Sequence, residues 1–169
     1  AGYYDSLLVT TAKGGLSSPA DFDLARHRAV INEPGSFSGS LTFAAYMQAA
    51  HGTSLGDAML SGAHLKSIAM VAAGEADFAA IDRISFSLAR HAVPQDVDGV
   101  SVIGHTASHP GIAFVADAGL PDLVVRKLRA TIMEFRDDPE WLELQSLLGV
   151  SDITVLDPAR YAPMASVAA

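Results

Sequence analysis

The chain contains no cysteine, so no disulfide framework staples it and no thiolate serves as nucleophile or soft metal ligand. No apolar run approaches the length of a membrane span, and the chain does not open with a signal-peptide pattern. Cationic residues are scarce: 11 Lys and Arg stand against 19 Asp and Glu, a formal net charge of −8. A surplus of that sign repels phosphodiester backbones and anionic lipid, which argues against nucleic acid as a partner. What the chain does have is apolar residues, 50% of 169, enough to bury one good-sized core or two small lobes.

The chemistry concentrates in Asn32-Glu33-Pro34-Gly35-Ser36-Phe37-Ser38-Gly39-Ser40, between the apolar run Ala29-Val30-Ile31 and a helical pattern carrying Leu41, Ala44, Ala45 and Met47. Pro34 removes a donor and Gly35 accepts positive φ, so the chain leaves its strand and reverses without strain. Ser36, Ser38 and Ser40 then set hydroxyls around a helix start whose first N–H groups have no partner within the helix. One such serine is an ordinary N-cap. Three, with two glycines, exceed what a cap requires and make an anion cradle.

Along the chain, Tyr3 to Thr10 reads as a strand, Lys13 to Ala20 as a loop, Asp21 to Arg26 as a helical turn and Arg28 to Ile31 as a strand. A helix over Ser38 to Ala50 stops at His51-Gly52. A strand at Ala58-Met59-Leu60 leads through Ser61-Gly62-Ala63-His64 into a helix with Leu65, Ile68, Ala69 and Ala72 on one face. Phe78 to Asp82 reads as a third apolar strand and Arg83 to His91 as its helix. This strand–helix alternation predicts a parallel α/β sheet, whose right-handed crossovers bring Ser36, Ser38, His64 and Asp82 to one rim. Pro94 to Gly99 reads as a polar break. Two strands follow at Val100 to Gly104 and Ile112 to Val115, then helices from Leu120-Pro121 and Pro139, with Tyr161 before a small tail expected to fray.

Several chemistries were weighed on these residues. Ser38, His64 and Asp82 on one rim would suit a nucleophilic hydrolase or transferase. However, Gly35-Ser36-Phe37-Ser38-Gly39 is not G-x-S-x-G, and the chain order is not that of α/β-hydrolases. No Gly-Lys-Ser/Thr follows the glycines, which excludes a P-loop. His105 and His109 have metal-ligand spacing, but Pro110-Gly111 argues for loop histidines and no carboxylate completes a site, so no metal or cofactor is expected. His27, His51 and His91 read as helix-end or surface residues, and Asp82 alone would serve as an N-cap.

Taken together, Tyr3-Tyr4, Asn32 to Gly39, Ser61 to His64, Gly74 to Asp82, His109-Pro110-Gly111 and the helix at Leu120 resemble the substrate-binding proteins of phosphate, phosphite and phosphonate ABC transporters. The resemblance covers nearly the whole chain. It implies a type 2 periplasmic-binding-protein fold, with α/β lobes of parallel or mixed sheet, helices on both faces and an oxyanion held in the cleft. By that resemblance Ser36, Phe37 and Ser38 hold the phosphorus oxygens, His64 donates a further hydrogen bond and Tyr3 closes over the ligand. Asp82 is placed with them on the ligand rim. It also implies a non-catalytic solute capture component, a membrane permease as partner, and a periplasmic or lipid-anchored extracellular location. A sensory ligand-binding domain is the same architecture attached to something else.

Three positions depart from the pattern of the resembled family. Phe37 stands where many members carry a hydroxyl, Ala63 where a Ser often precedes the histidine, and Ile112 where aminophosphonate binders carry a carboxylate. The chain is also short: residues 10–104 are expected to form a complete second lobe, with 1–9 and 105–169 giving hinge strands and the closing part of a first lobe. A preceding α/β segment is expected to be missing. The apolar surface so exposed would favour homo-oligomers.

Overall fold

The computed structural model of the chain describes residues 2–167, so the last two residues of the expected frayed tail lie outside the described residues. Period-two alternation in three adjacent strands builds the core. In β2 (Ser6–Thr11), Leu7 and Val9 join one apolar cluster and Leu8 the other. In β3 (Ala29–Ile31), Val30 faces opposite to Ala29 and Ile31; in β5 (Phe78–Asp82), Ala79 and Ile81 face opposite to Phe78 and Ala80. Both faces of the sheet are covered, which is why these segments read in sequence as unbroken apolar runs.

The sheet has five strands in the order β4 (Met59–Leu60), β3, β5, β2, β6 (Val100–His105). Strands β3, β4 and β5 are parallel, as the sequence predicts, whereas β2 runs antiparallel to both its neighbours, so the sheet is mixed. The link from β2 to β3 contains a 3₁₀ turn, Pro19–Asp21, but no crossover helix, and the chain re-enters the sheet on the edge it left. One face is covered by α1 (Thr42–His51) through Phe43 and Met47, with Phe22 and Leu55. The other is covered by α2 (His64–Ala72), α3 (Arg83–Ala92) and the short α4 (Pro94–Asp98). Gly52 ends α1 in the left-handed conformation, φ 64°, at the stop expected for it.

Next to this unit, β1 (Tyr3–Tyr4) pairs antiparallel with β7 (His109–Pro110) in a two-residue ladder. Beyond β7 come α5 (Asp122–Phe135), α6 (Pro139–Leu148) and a 3₁₀ segment, Pro158–Ser166, which contains Tyr161. Trp141 is the single buried residue of α5 and α6.

Four expectations are corrected. The strand expected over Tyr3 to Thr10 is broken at Asp5, whose carboxylate accepts hydrogen bonds from the Arg83 guanidinium and lies 3.5 Å from His105 Nδ1. The turn expected at Asp21 to Arg26 forms only over its second half, where the Arg26 and His27 N–H groups donate to the Asp23 carbonyl, and a separate 3₁₀ turn capped by Ser18 precedes it because Pro19 suits a first helical position. For the same reason the polar break at Pro94 is a short helix. Finally, Ile112 to Val115 is not a strand among the described residues: Ile112, Phe114 and Val115 are 69%, 76% and 90% exposed, with no strand beside them to pair with.

Phe78 is fully buried, stacked on Phe22 at 4.0 Å and edge-on to Phe43 at 5.5 Å, at the centre of one face. Phe78→Ala is therefore expected to cost about 3–5 kcal/mol in urea unfolding, by lost burial plus the cavity left behind. Phe114→Ala, on the exposed stretch, should stay within about 0.5 kcal/mol of the parent. Equal losses at the two positions would overturn this assignment of the core.

Candidate functional site

The end of β3 feeds the serine turn. Asn32 to Gly35 leaves the sheet, and Ser36 caps a π-helical turn, Phe37–Leu41, by accepting a hydrogen bond from the Gly39 N–H at 3.1 Å. Ser40 and Leu41 donate to the Ser36 carbonyl, so the turn is closed from inside. The Ser38 carbonyl is drawn inward as well, accepting from Ser6 Oγ at 2.7 Å and Thr42 Oγ1 at 3.1 Å. With that carbonyl held inward, the N–H groups of Phe37 and Ser38, which precede any acceptor within the helix, are left to point out of the turn. Ser40, the third serine, is buried and lies under the turn, not on its open side.

The end of β4 supplies the second element. Ser61 bonds back to the Ile31 carbonyl and to Ser67 Oγ, which fixes the turn that starts α2, and His64 is the first residue of that helix. Ala63 offers no side-chain cap, so the first N–H groups of α2 stay open. The two turns meet directly twice: the Gly62 N–H donates to the Asn32 carbonyl at 2.9 Å, and Ser38 Oγ and His64 Nε2 lie 3.2 Å apart. Burial pulls the His64 pKa below its ordinary value, while the Asp82 and Glu33 carboxylates push the other way. A Cβ on Gly39 would overlap the Asn32 amide oxygen and lie 2.7 Å from His64 Cε1, so only glycine lets Asn32, His64 and the turn approach this closely.

At the end of β5, the buried Asp82 accepts from the Ser85 N–H at 2.8 Å and caps α3. The structure thus brings Ser36, Phe37, Ser38 and His64 together, with Asp82 near enough for its field to act on His64. It does not assemble a triad: Asp82 is committed to the α3 cap, and His64 Nδ1 is buried without a partner. In a Ser-His-Asp arrangement a carboxylate orients the base, and no carboxylate is bonded to His64 Nδ1 here.

Tyr3 is not brought to this turn. Its hydroxyl accepts from the Arg160 guanidinium at 2.9 Å, in a groove shared with Ile112, Phe135 and Trp141. Adjacent residues of a strand face opposite ways, and the neighbour Tyr4 instead meets Phe37, Thr42, Thr106 and His109. The His109 ring packs edge-on against Phe37 at 5.1 Å. Thr42 and Thr106, beside the turn, were not singled out from the sequence; Asn32, Tyr4 and His109 were noted there without a role at the turn. Two consecutive tyrosines give no signal as to which faces the turn; that follows from the register Tyr4↔His109. His105 and His109, read as loop residues, end β6 and begin β7. Among the described residues no cluster of three or more His, Asp or Glu is arranged to hold a metal ion. No helix is long and apolar enough to cross a membrane.

The family model for the periplasmic substrate-binding protein of phosphonate ABC transporters matches residues 1–161. No curated protein matches the chain. Among solved structures, a binding protein component of an ABC phosphonate transporter from Pseudomonas aeruginosa is 22% identical, TM-score 0.81, over 99% of this chain and 57% of its own. A Prochlorococcus marinus protein in complex with methylphosphonate is 16% identical, TM-score 0.80, over 98% of this chain and 66% of its own. A Xanthomonas citri protein bound to ATP is 18% identical, TM-score 0.69, over 99% of this chain and 66% of its own. The chain therefore spans a little over half to about two thirds of the length of these proteins, and the likeness is one of fold.

The Tyr4 phenol gives a direct test of the environment beside the turn. Burial, then the Asp82 carboxylate, pushes its pKa from the ordinary 10.0 up to about 12. Stability contributed by the neutral phenol is complete below the unfolded value and is lost as the pH rises through the folded one. Ultraviolet titration is expected to show one of the four tyrosines ionising near pH 12, absent in Tyr4→Phe, which should also soften alkaline unfolding. Burial raises Tyr46 as well, so the test is the loss of one late step: an unchanged number of late-ionising tyrosines in Tyr4→Phe would refute the placement.

Proposed function

Since the chain belongs to the family of periplasmic substrate-binding proteins of phosphonate ABC transporters, we propose that it captures a small phosphorus oxyanion, a phosphonate, phosphite or phosphate, at the serine turn. The observation that supports this reading is the Ser38–His64 contact between two helix starts whose first N–H groups are open. Tetrahedral oxygens in that position accept from the N–H groups of Phe37 and Ser38, from the Ser38 hydroxyl and from the start of α2. Tyr4 and His109 sit on the hinge side, where closure brings them over the ligand. The partner that takes up the released anion is an ABC permease, and the compartment is the periplasm or the outer face of the membrane.

For the architecture, we infer that residues 10–104 form one lobe, and that 1–9 with 105–169 form the hinge and part of another. Ile112, Phe114, Val115 and Leu128, all exposed, line one apolar groove, the kind of surface that marks an interaction site. It calls for a covering layer, either further chain or a second copy.

Two measurements test these readings. In calorimetry against methylphosphonate, phosphite, phosphate and sulfate, Ser38→Ala is expected to weaken the best phosphorus oxyanion about 10- to 100-fold, as loss of a charge-assisted hydrogen bond implies. Heat with none of them, or an affinity untouched by Ser38→Ala, sinks the ligand reading. In sedimentation velocity the 169 residues alone are expected to run larger than a 17.6 kDa monomer, and Leu128→Glu to shift them back. A compact monomer at high concentration would count against self-association through this face.

A further inference from the structure

Two buried polar atoms at the serine turn have no hydrogen-bond partner, Asn32 Oδ1 and His64 Nδ1. They lie close together without a hydrogen bond between them: the same point beside Gly39 that would overlap the Asn32 oxygen lies 2.7 Å from His64 Cε1, the carbon bonded to both ring nitrogens. Polar atoms buried in this way are normally satisfied, and an unmet pair side by side asks what would satisfy both.

The options are few. A neutral ring with its proton on Nε2 donates to Ser38 Oγ, but leaves two acceptors, Nδ1 and Oδ1, facing a space with no donor. A neutral ring with its proton on Nδ1 serves Asn32, but then takes the Ser38 hydroxyl proton at Nε2, so that hydroxyl is lost to an anion. A doubly protonated ring serves both: Nε2–H donates to Ser38 Oγ, Nδ1–H donates to Asn32 Oδ1, and the Ser38 proton is free to point outward.

The charge balance points the same way. Arg83, the nearest guanidinium on the rim of the sheet, is committed to Asp5, and the Asp82 and Glu33 carboxylates are the charged groups whose fields reach His64. Both favour an imidazolium, and only burial opposes it. An anion arriving at Ser38 adds a third negative neighbour, closer than either.

We propose that Asn32 is a positioning residue that accepts from His64 Nδ1–H, so that anion capture at the serine turn is accompanied by uptake of a proton onto His64. The inference rests on the oxyanion reading, and it deepens it: the site supplies a cation only when the ligand is present. Binding then tightens as the pH falls, down to where the ligand itself is protonated.

Calorimetry of the 169-residue chain with methylphosphonate tests this, run in two buffers of different ionisation enthalpy at a pH where the free ligand is fully ionised. The expected result is uptake of about one proton per anion. Asn32→Leu should lose that uptake and weaken binding at neutral pH more than at low pH, while Asn32→Asp, whose carboxylate favours the imidazolium before the anion arrives, should take up less than the parent. Binding without proton uptake, or uptake unchanged in Asn32→Leu, overturns the inference. So does loss of binding in Asn32→Asp with no uptake in the parent, the signature of an amide that donates to a neutral ring.

A second readout needs no ligand. Nitrogen-15 spectra of the histidine rings, with His64 assigned by His64→Gln, are expected to show its titration midpoint lowered by Asn32→Leu and raised by Asn32→Asp. An unmoved midpoint refutes the Asn32 role. No heat with any phosphorus oxyanion, beside a midpoint that moves as expected, would refute the ligand reading and leave the Asn32–His64 pairing standing.

Discussion

Pairing of β5 on both of its edges is the constraint on which the rest of the structure depends. All five residues from Phe78 to Asp82 are buried, and the strand bonds in parallel to β3 and antiparallel to β2. Its two faces carry the two apolar clusters, so a one-residue slip would exchange Phe78 and Ala80 with Ala79 and Ile81 and leave neither cluster filled. The same register sets the site. It aligns Asp82 with Ser6, whose hydroxyl holds the Ser38 carbonyl inward, and the parallel side brings the exits of β3 and β4 to the edge where Asp82 ends. The geometry of the serine turn is thus a consequence of core packing distant from it in sequence.

Much of this was legible from the residues. The strands at 29–31 and 78–82, the helices that follow them and the glycine stop after α1 come from local rules: unbroken apolar runs, a 3.6-residue period and turn chemistry. So did the adjacency of Ser38 and His64, because parallel strands with right-handed crossovers leave their helix starts on one edge. What was not legible depends on partners distant in sequence. The direction of β2 is set by which edge its loop returns to, the choice of Tyr4 over Tyr3 by pairing with His109, and the fate of Ile112 to Val115 by the presence of a strand beside it. A β-favouring composition becomes a strand only when another strand satisfies its backbone.

An acidic chain and an anion repel one another only at long range. At physiological salt, charges more than about 8 Å apart in water are largely screened, so most of the 19 carboxylates contribute little at the turn. Oriented N–H groups in a partly buried turn act over hydrogen-bond distances and are screened far less. Glu33 and Asp82 are the exceptions, close enough to act on His64, and Asp82 also raises the neighbouring Tyr4. Their positions make a neutral donor such as the Tyr4 phenol, and a group able to turn cationic such as His64, the side chains compatible with an anion there.

The hinge is tied into the same chemistry. Asp5, between β1 and β2, joins Arg83 at the start of α3 and lies beside His105 at the end of β6, so both chain passages toward the β1–β7 ladder are anchored by one carboxylate. Past that anchor, His109 lies against Phe37 of the serine turn. The ladder is therefore held to the five-stranded sheet at two places, by ion pairs at Asp5 and by ring packing at Phe37. Phe37 thus spends its ring on an apolar contact between the serine turn and the first residue of β7, so the turn and the ladder are joined by packing as well as by the ion pairs at Asp5.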